Sequence, residues 1–262
     1  MSIVRDKLWL WGHEEGSHNE EWDLPAASQI TPAQAAENMG LPNVIMVRYR
    51  KDYDAEAYAA SLRCVDRVIW SIVGNSGINE GIEMAPLRAM AANYPNWRGV
   101  MMDDFFLTND PGATAVHTVE DLQTIQNQLD INRRKLDLWV VLYDHQLHLP
   151  IENHLAQCDV LTYWTWRAQD LDKLEANFAR AEALAPNCRK VLGCYMWDYG
   201  DKRPLSLELM QRQCELGLQW LRSGRIDGMI FLASCICDLD IEAVNWTREW
   251  IREVGEEPLS SG

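Results

Sequence analysis

The chain has 262 residues, 47% of them apolar and 24% charged, and a formal charge of −15 from 39 acidic and 24 basic residues. That apolar fraction is enough for a sizeable core and excludes wholesale disorder. The acidic balance argues against nucleic acid or an anionic membrane as the main partner, since both need a basic footprint. No uncharged apolar run approaches the roughly 18 residues of a membrane span. The start, MSIVRDKLWLWGHEE, lacks a secretory apolar core, and the seven cysteines show no paired spacing. Free thiols in a reducing cytoplasm are the expectation, without disulfides.

Short apolar runs recur along the chain: KLWLWG (7–12), NVIMVRY (43–49), VDRVIWSIVG (65–74), WRGVMM (97–102), LDLWVVLY (136–143), CDVLTYWTW (158–166), KVLGCYMW (190–197) and IDGMIFLA (226–233). Most are continuously apolar rather than alternating, as parallel strands buried on both faces are. Helical patterns separate them. TPAQAAENMG carries Thr31 as N-cap, Pro32 at the first helical position and Gly40 at the end, and the helix through LSLELMQRQCELGLQWLRSG closes on Gly224. Eight strand–helix units in this length, with no linker to divide them, predict a single α/β domain over 1–262, a closed (β/α)8 TIM barrel. An open doubly wound sheet is the alternative, but no G-x-G-x-x-G turn follows a strand.

In such a barrel the active site forms where strands end and the following loops begin. GVMMDDFFL (99–107) puts Asp103 and Asp104 at the end of the fourth strand, framed by apolar residues on both sides. Consecutive strand residues point to opposite faces, so both reach one pocket only if the strand breaks there. The other strand ends supply His13, Glu15 and His18 after the first, Trp70 and Asn75 on and after the third, and Tyr143, Asp144 and His145 after the fifth. Trp164 and Trp166 end the sixth; Tyr195, Trp197, Asp198 and Tyr199 end the seventh; Cys235 follows the eighth.

The 12 tryptophans against 4 phenylalanines fit a carbohydrate site, because indole faces stack on the apolar faces of sugar rings. Trp220, Trp246 and Trp250 lie at helical core spacing and Trp139 lies mid-strand, so these four are assigned to packing. Glycosidic cleavage needs one carboxyl with a raised pKa and a second group to steady the cationic centre. Asp103, Asp104 and Asp198 are the catalytic candidates. Asp104 with Asp198 is the pair for ordinary two-carboxylate chemistry.

The Asp-Asp pair after an apolar fourth strand resembles the (β/α)8 glycoside hydrolases, and among them the substrate-assisted N-acetylhexosaminidases of the O-GlcNAc hydrolase type. The resemblance implies that Asp103 polarises a 2-acetamido group and Asp104 is the general acid/base. Glu15-Gly16, Trp164-Thr165 and Trp197-Asp198-Tyr199 are similar to an Glu-Gly turn, a Trp-Thr-Gly and a Trp-Asp-Asn-Tyr of that family. Here Trp166 replaces the glycine, and no asparagine separates Asp198 from Tyr199.

No cofactor and no metal are expected; the substrate is a small sugar or an oligosaccharide. Two rival readings remain. In the first, His13, His18, Asp103 or Asp104, Asp144, His145 and Asp198 hold a divalent ion in a sugar isomerase, epimerase or hydrolase. Against it, no His-x-His follows the first strand. In the second, the barrel binds carbohydrate without catalysis, which would need the tryptophans but not the paired aspartates.

Overall fold

The computed structural model describes residues 2–49, 54–74, 84–108 and 113–259. Eight strands run β1 Leu8–Gly12, β2 Asn43–Arg48, β3 Arg67–Gly74, β4 Trp97–Met102, β5 Asp137–Tyr143, β6 Val160–Trp164, β7 Arg189–Tyr195 and β8 Gly228–Leu232. Each pairs in parallel with its sequence neighbour, and β8 pairs back onto β1 from Leu8↔Met229 to Trp11↔Leu232, closing the barrel. The predicted apolar runs contain all eight strands save Arg189, which opens β7 one residue before its run.

The outer helices are α1 Pro32–Met39, α2 Ala55–Ser61, α3 Met84–Asn93, α4 Val119–Gln128, α5 Glu152–Leu155, α6 Leu174–Leu184, α7 Leu207–Arg222 and α8 Glu242–Val254. Their ends follow the sequence signals. Thr31 accepts the Gln34 N–H while Gln34 reaches back to the cap, and Gly40 takes the left-handed conformation at φ 69°. A two-residue antiparallel hairpin, Asp130–Ile131 with Arg134–Lys135, precedes β5.

Tryptophans fill the barrel axis. Trp9 on β1 meets Trp139 on β5 at 5.1 Å between ring centroids. These strands lie on opposite sides of the barrel, so the contact crosses the interior. One layer higher, Trp11 meets Trp164 on β6 at 5.2 Å. Such wide rings fit only if facing strands yield space. A Cβ on Gly193 of β7 would stand 2.1 Å from the Trp164 ring, so this position tolerates only hydrogen. Trp164 is further held by its indole N–H, which donates to Thr162 Oγ1 at 3.0 Å.

At the opposite end a buried amide ties neighbouring strands together. The buried Asn43 side chain donates to Leu8 O at 2.7 Å and accepts from Arg67 Nε at 2.8 Å. Gly193→Ala is therefore expected to displace Trp164 and lower stability by about 1–3 kcal/mol, the range for overpacking a core. Urea unfolding of the purified variant measures it; an unchanged midpoint would mean that the layer has slack.

Candidate active site at the barrel mouth

The chain leaves β4 through a left-handed turn. Asp104 adopts φ 46°, a region that Asp enters more readily than most residues but that still costs energy. The turn breaks the strand alternation, and Asp103 and Asp104 both line one cavity. This is the break that the paired-aspartate reading requires. Asp103 Oδ1 accepts the Asp104 backbone N–H at 2.9 Å, and Tyr143 OH at the end of β5 donates to Asp104 Oδ1 at 2.9 Å.

The cavity has a volume of about 140 Å3. That is close to the ~150 Å3 of an engineered cavity that takes one benzene. It has room for one six-membered ring, with the remainder of a longer substrate outside. Trp11 and Trp164, the upper axial layer, form its floor together with Leu232. Its walls are aromatic: Trp166 meets Tyr143 at 5.7 Å and Tyr195 at 6.0 Å, and Tyr199 meets Trp22 at 5.2 Å. Tyr49, His13 and His18 complete the lining.

The electrostatics separate the titratable groups. Burial, reinforced by the neighbouring Asp104 charge, pushes the Asp103 carboxyl well above its ordinary value; the Asp104 N–H opposes this. Burial, with the Asp103 charge adding to it, also raises the Tyr143 phenol, so this hydroxyl stays a donor. The buried His13 falls to about 3, and His18 is lowered by burial and by His13, so both rings are neutral. Burial pushes the Cys235 thiol up to about 12.

Of the residues expected at the site, Asp103, Asp104, His13, Tyr143, Trp164, Trp166 and Tyr199 do gather around the cavity. Others lie elsewhere. Trp70 is buried and stacks on Trp97 at 4.8 Å, since its strand position faces the helical layer. Asp198 is not in the cavity wall. Its carboxylate accepts from Arg203 Nε at 3.2 Å and from the Asp201 N–H at 3.3 Å, which stitches the loop after β7. Trp197 is turned into that loop, where its indole N–H donates to Trp22 O at 3.0 Å. Glu15 accepts a hydrogen bond from Tyr58 OH.

Asp144 accepts the Trp166 N–H at 3.2 Å and lies 3.6 Å from His145, whose ring stacks on Tyr143. These two brace the wall from behind. Asn75 lies outside the described residues.

Trp22 and Tyr49 are cavity residues that the sequence did not single out. Tyr49 carries a usable signal, because it ends the second apolar run. Trp22 sits in the long loop after β1 and carries none.

No family model matches the chain, and no curated protein matches it. Solved structures do match. A protein of Bacteroides thetaiotaomicron VPI-5482 described as an α-L-fucosidase aligns with a TM-score of 0.61 and 13% identity, over 98% of this chain and 98% of that one. A GH113 β-mannanase from Alicyclobacillus acidocaldarius aligns at 0.56 and 10%, over 97% and 98%. The β-D-glucuronidase of Dictyoglomus thermophilum aligns at 0.56 and 10%, over 96% of this chain and 51% of its own length. Of two further β-glucuronidases the chain spans only 40% and 30%. The likeness is one of fold: this chain shares the (β/α)8 barrel of several glycoside hydrolases. The specific link to the O-GlcNAc hydrolase type is not among these likenesses. Among the described residues no helix is long and apolar enough to cross a membrane.

The raised Asp103 pKa has a stability consequence. At pH below the ordinary carboxylate value of 3.8 the group is protonated folded and unfolded, and burial costs little. As pH rises from there toward the folded pKa, the unfolded state alone ionises and stability falls. Asp103→Asn keeps the acceptor for Asp104 N–H and removes the charge. It should match wild type near pH 3 and exceed it by about 0.5–2 kcal/mol at neutral or alkaline pH. Thermal melts across pH would show the two curves diverging upward from pH 4; parallel curves would contradict the burial argument.

Proposed function

We propose that this chain is a glycoside hydrolase that removes one terminal sugar residue at a time. One observation carries the reading: two carboxyl groups one peptide apart line a single ring-sized aromatic cavity at the C-terminal mouth of the barrel, and burial favours the protonated form of one of them. A terminal sugar ring would enter with its apolar face against Trp164 and Trp166, and the rest of the substrate would leave through the open side.

Asp103 is the proton donor. Its proton passes to the glycosidic oxygen as the bond from that oxygen to the anomeric carbon breaks. The Asp104 carboxylate, oriented by Tyr143 OH, steadies the positive charge that develops on the anomeric carbon. Water then adds to that carbon and returns a proton to Asp103. Catalysis of this kind needs no cofactor. These roles are the reverse of those implied by the O-GlcNAc hydrolase resemblance, because Asp103 is the more deeply buried of the pair. Asp198 acts through the loop it holds, as a positioning residue. Trp166, Tyr143 and Tyr199 are the proposed sugar contacts.

The test is a panel of nitrophenyl and alkyl glycosides. Wild type should cleave at least one neutral sugar, and Asp103→Asn should lower kcat by roughly 10²–10⁴, as loss of general acid catalysis does. The loss should be larger for alkyl leaving groups, which need protonation more. Wild-type activity should decline as pH rises through the Asp103 pKa, and the variant should lose that limb. Full activity in the variant, or a silent panel, would remove the assignment.

A further inference from the structure

One cluster beside the cavity, in which Cys235 adjoins the lining residues His13 and His18, is unused by this chemistry. His13, His18 and Cys235 each offer a ligand atom within 4.8 Å of the others, and all three are buried. We propose that they form a binding site for a zinc-class divalent cation, whose remaining position opens to the cavity. The proposal does not depend on the hydrolase reading and goes against the expectation, drawn from sequence, of a chain without metal.

Three observations support it. The donor set, two imidazoles and one thiol, is the one that zinc and its soft neighbours select over magnesium or calcium. Two of the ligands also stand on adjoining elements. His13 follows β1 and Cys235 lies in the short turn Ser234–Ile236 after β8. The two ends are tied together, with the His13 backbone N–H donating to Ser234 Oγ at 3.0 Å and that hydroxyl donating to His13 O at 3.3 Å. Third, the buried Nδ1 of His13 has no hydrogen-bond partner, an uncommon state for a buried polar atom.

Zinc–nitrogen and zinc–sulfur bonds of about 2.0 and 2.3 Å require the three atoms to draw together by roughly 1 Å on binding. Binding has a proton consequence. Trp11 donates its indole N–H to His13 Nε2 at 3.0 Å, so the imidazole proton of the empty site lies on Nδ1. Coordination through Nδ1 moves that proton to Nε2 and releases the Trp11 N–H, while Cys235 gives up its thiol proton to solvent. One proton leaves per metal bound, and the surroundings of Trp11 change.

Protein purified without an affinity tag, stripped with chelator and dialysed, would be titrated with Co2+ and with Zn2+. The expected result is one metal per chain, with a near-ultraviolet thiolate-to-cobalt band and a change in tryptophan fluorescence that saturate together. Cys235→Ser should abolish the band, and His18→Ala should weaken binding by roughly 100-fold or more, above what loss of an outer partner costs. Failure of wild type to bind either ion stoichiometrically would overturn the proposal without any variant having to fold. So would stoichiometric binding without the thiolate band. Glycosidase assays are a separate readout, so failure of the hydrolase reading is distinguishable.

Discussion

A continuous strand presents successive side chains to opposite faces, so two carboxyl groups in a row cannot both enter one cavity unless the backbone changes hand between them. Here it does so at Asp104, in the left-handed region. The arrangement of the cavity depends on that turn. It brings Asp104 under the hydroxyl of Tyr143 and leaves Asp103 in the buried wall, so that adjacent residues of the same type meet different surroundings. The strain is stored where the chemistry is proposed to occur, and the β4 ladder beneath it holds the turn in place.

The axial tryptophans set the depth of the site. Trp9 and Trp139 fill the lower barrel, and Trp11 and Trp164 fill the next layer, which is also the cavity floor. A floor built this high leaves room for about one ring. Core packing and cavity size are thus one problem, and Gly193 is part of the solution because its missing side chain seats Trp164. Burial at the same mouth keeps His13 and His18 neutral.

The barrel was legible because its strands are continuously apolar and its helices carry caps, as Thr31 and Gly40 show, and these local signals agree with the global fold. The placement of Asp103 and Asp104 was legible from the apolar frame around them. What the sequence could not convey was orientation. Trp70 and Trp164 both lie on apolar strands, yet one faces the helical layer and the other the axis, a difference of strand phase. Asp198 reads as a free strand-end acid, but Arg203, five residues on, captures it. Trp22 enters from a loop without periodicity. The meeting of His13 and His18 with Cys235 joins the first strand end to the last, a contact that exists only once the barrel closes.

Site-resolved titration of the aspartate carboxyl carbons by NMR tests the central claim most directly. Asp103 is expected to titrate well above 3.8 in wild type and to move down toward that value when Asp104 is replaced by Asn. An Asp103 carboxyl that titrates at or below 3.8, indifferent to its neighbour, would contradict it.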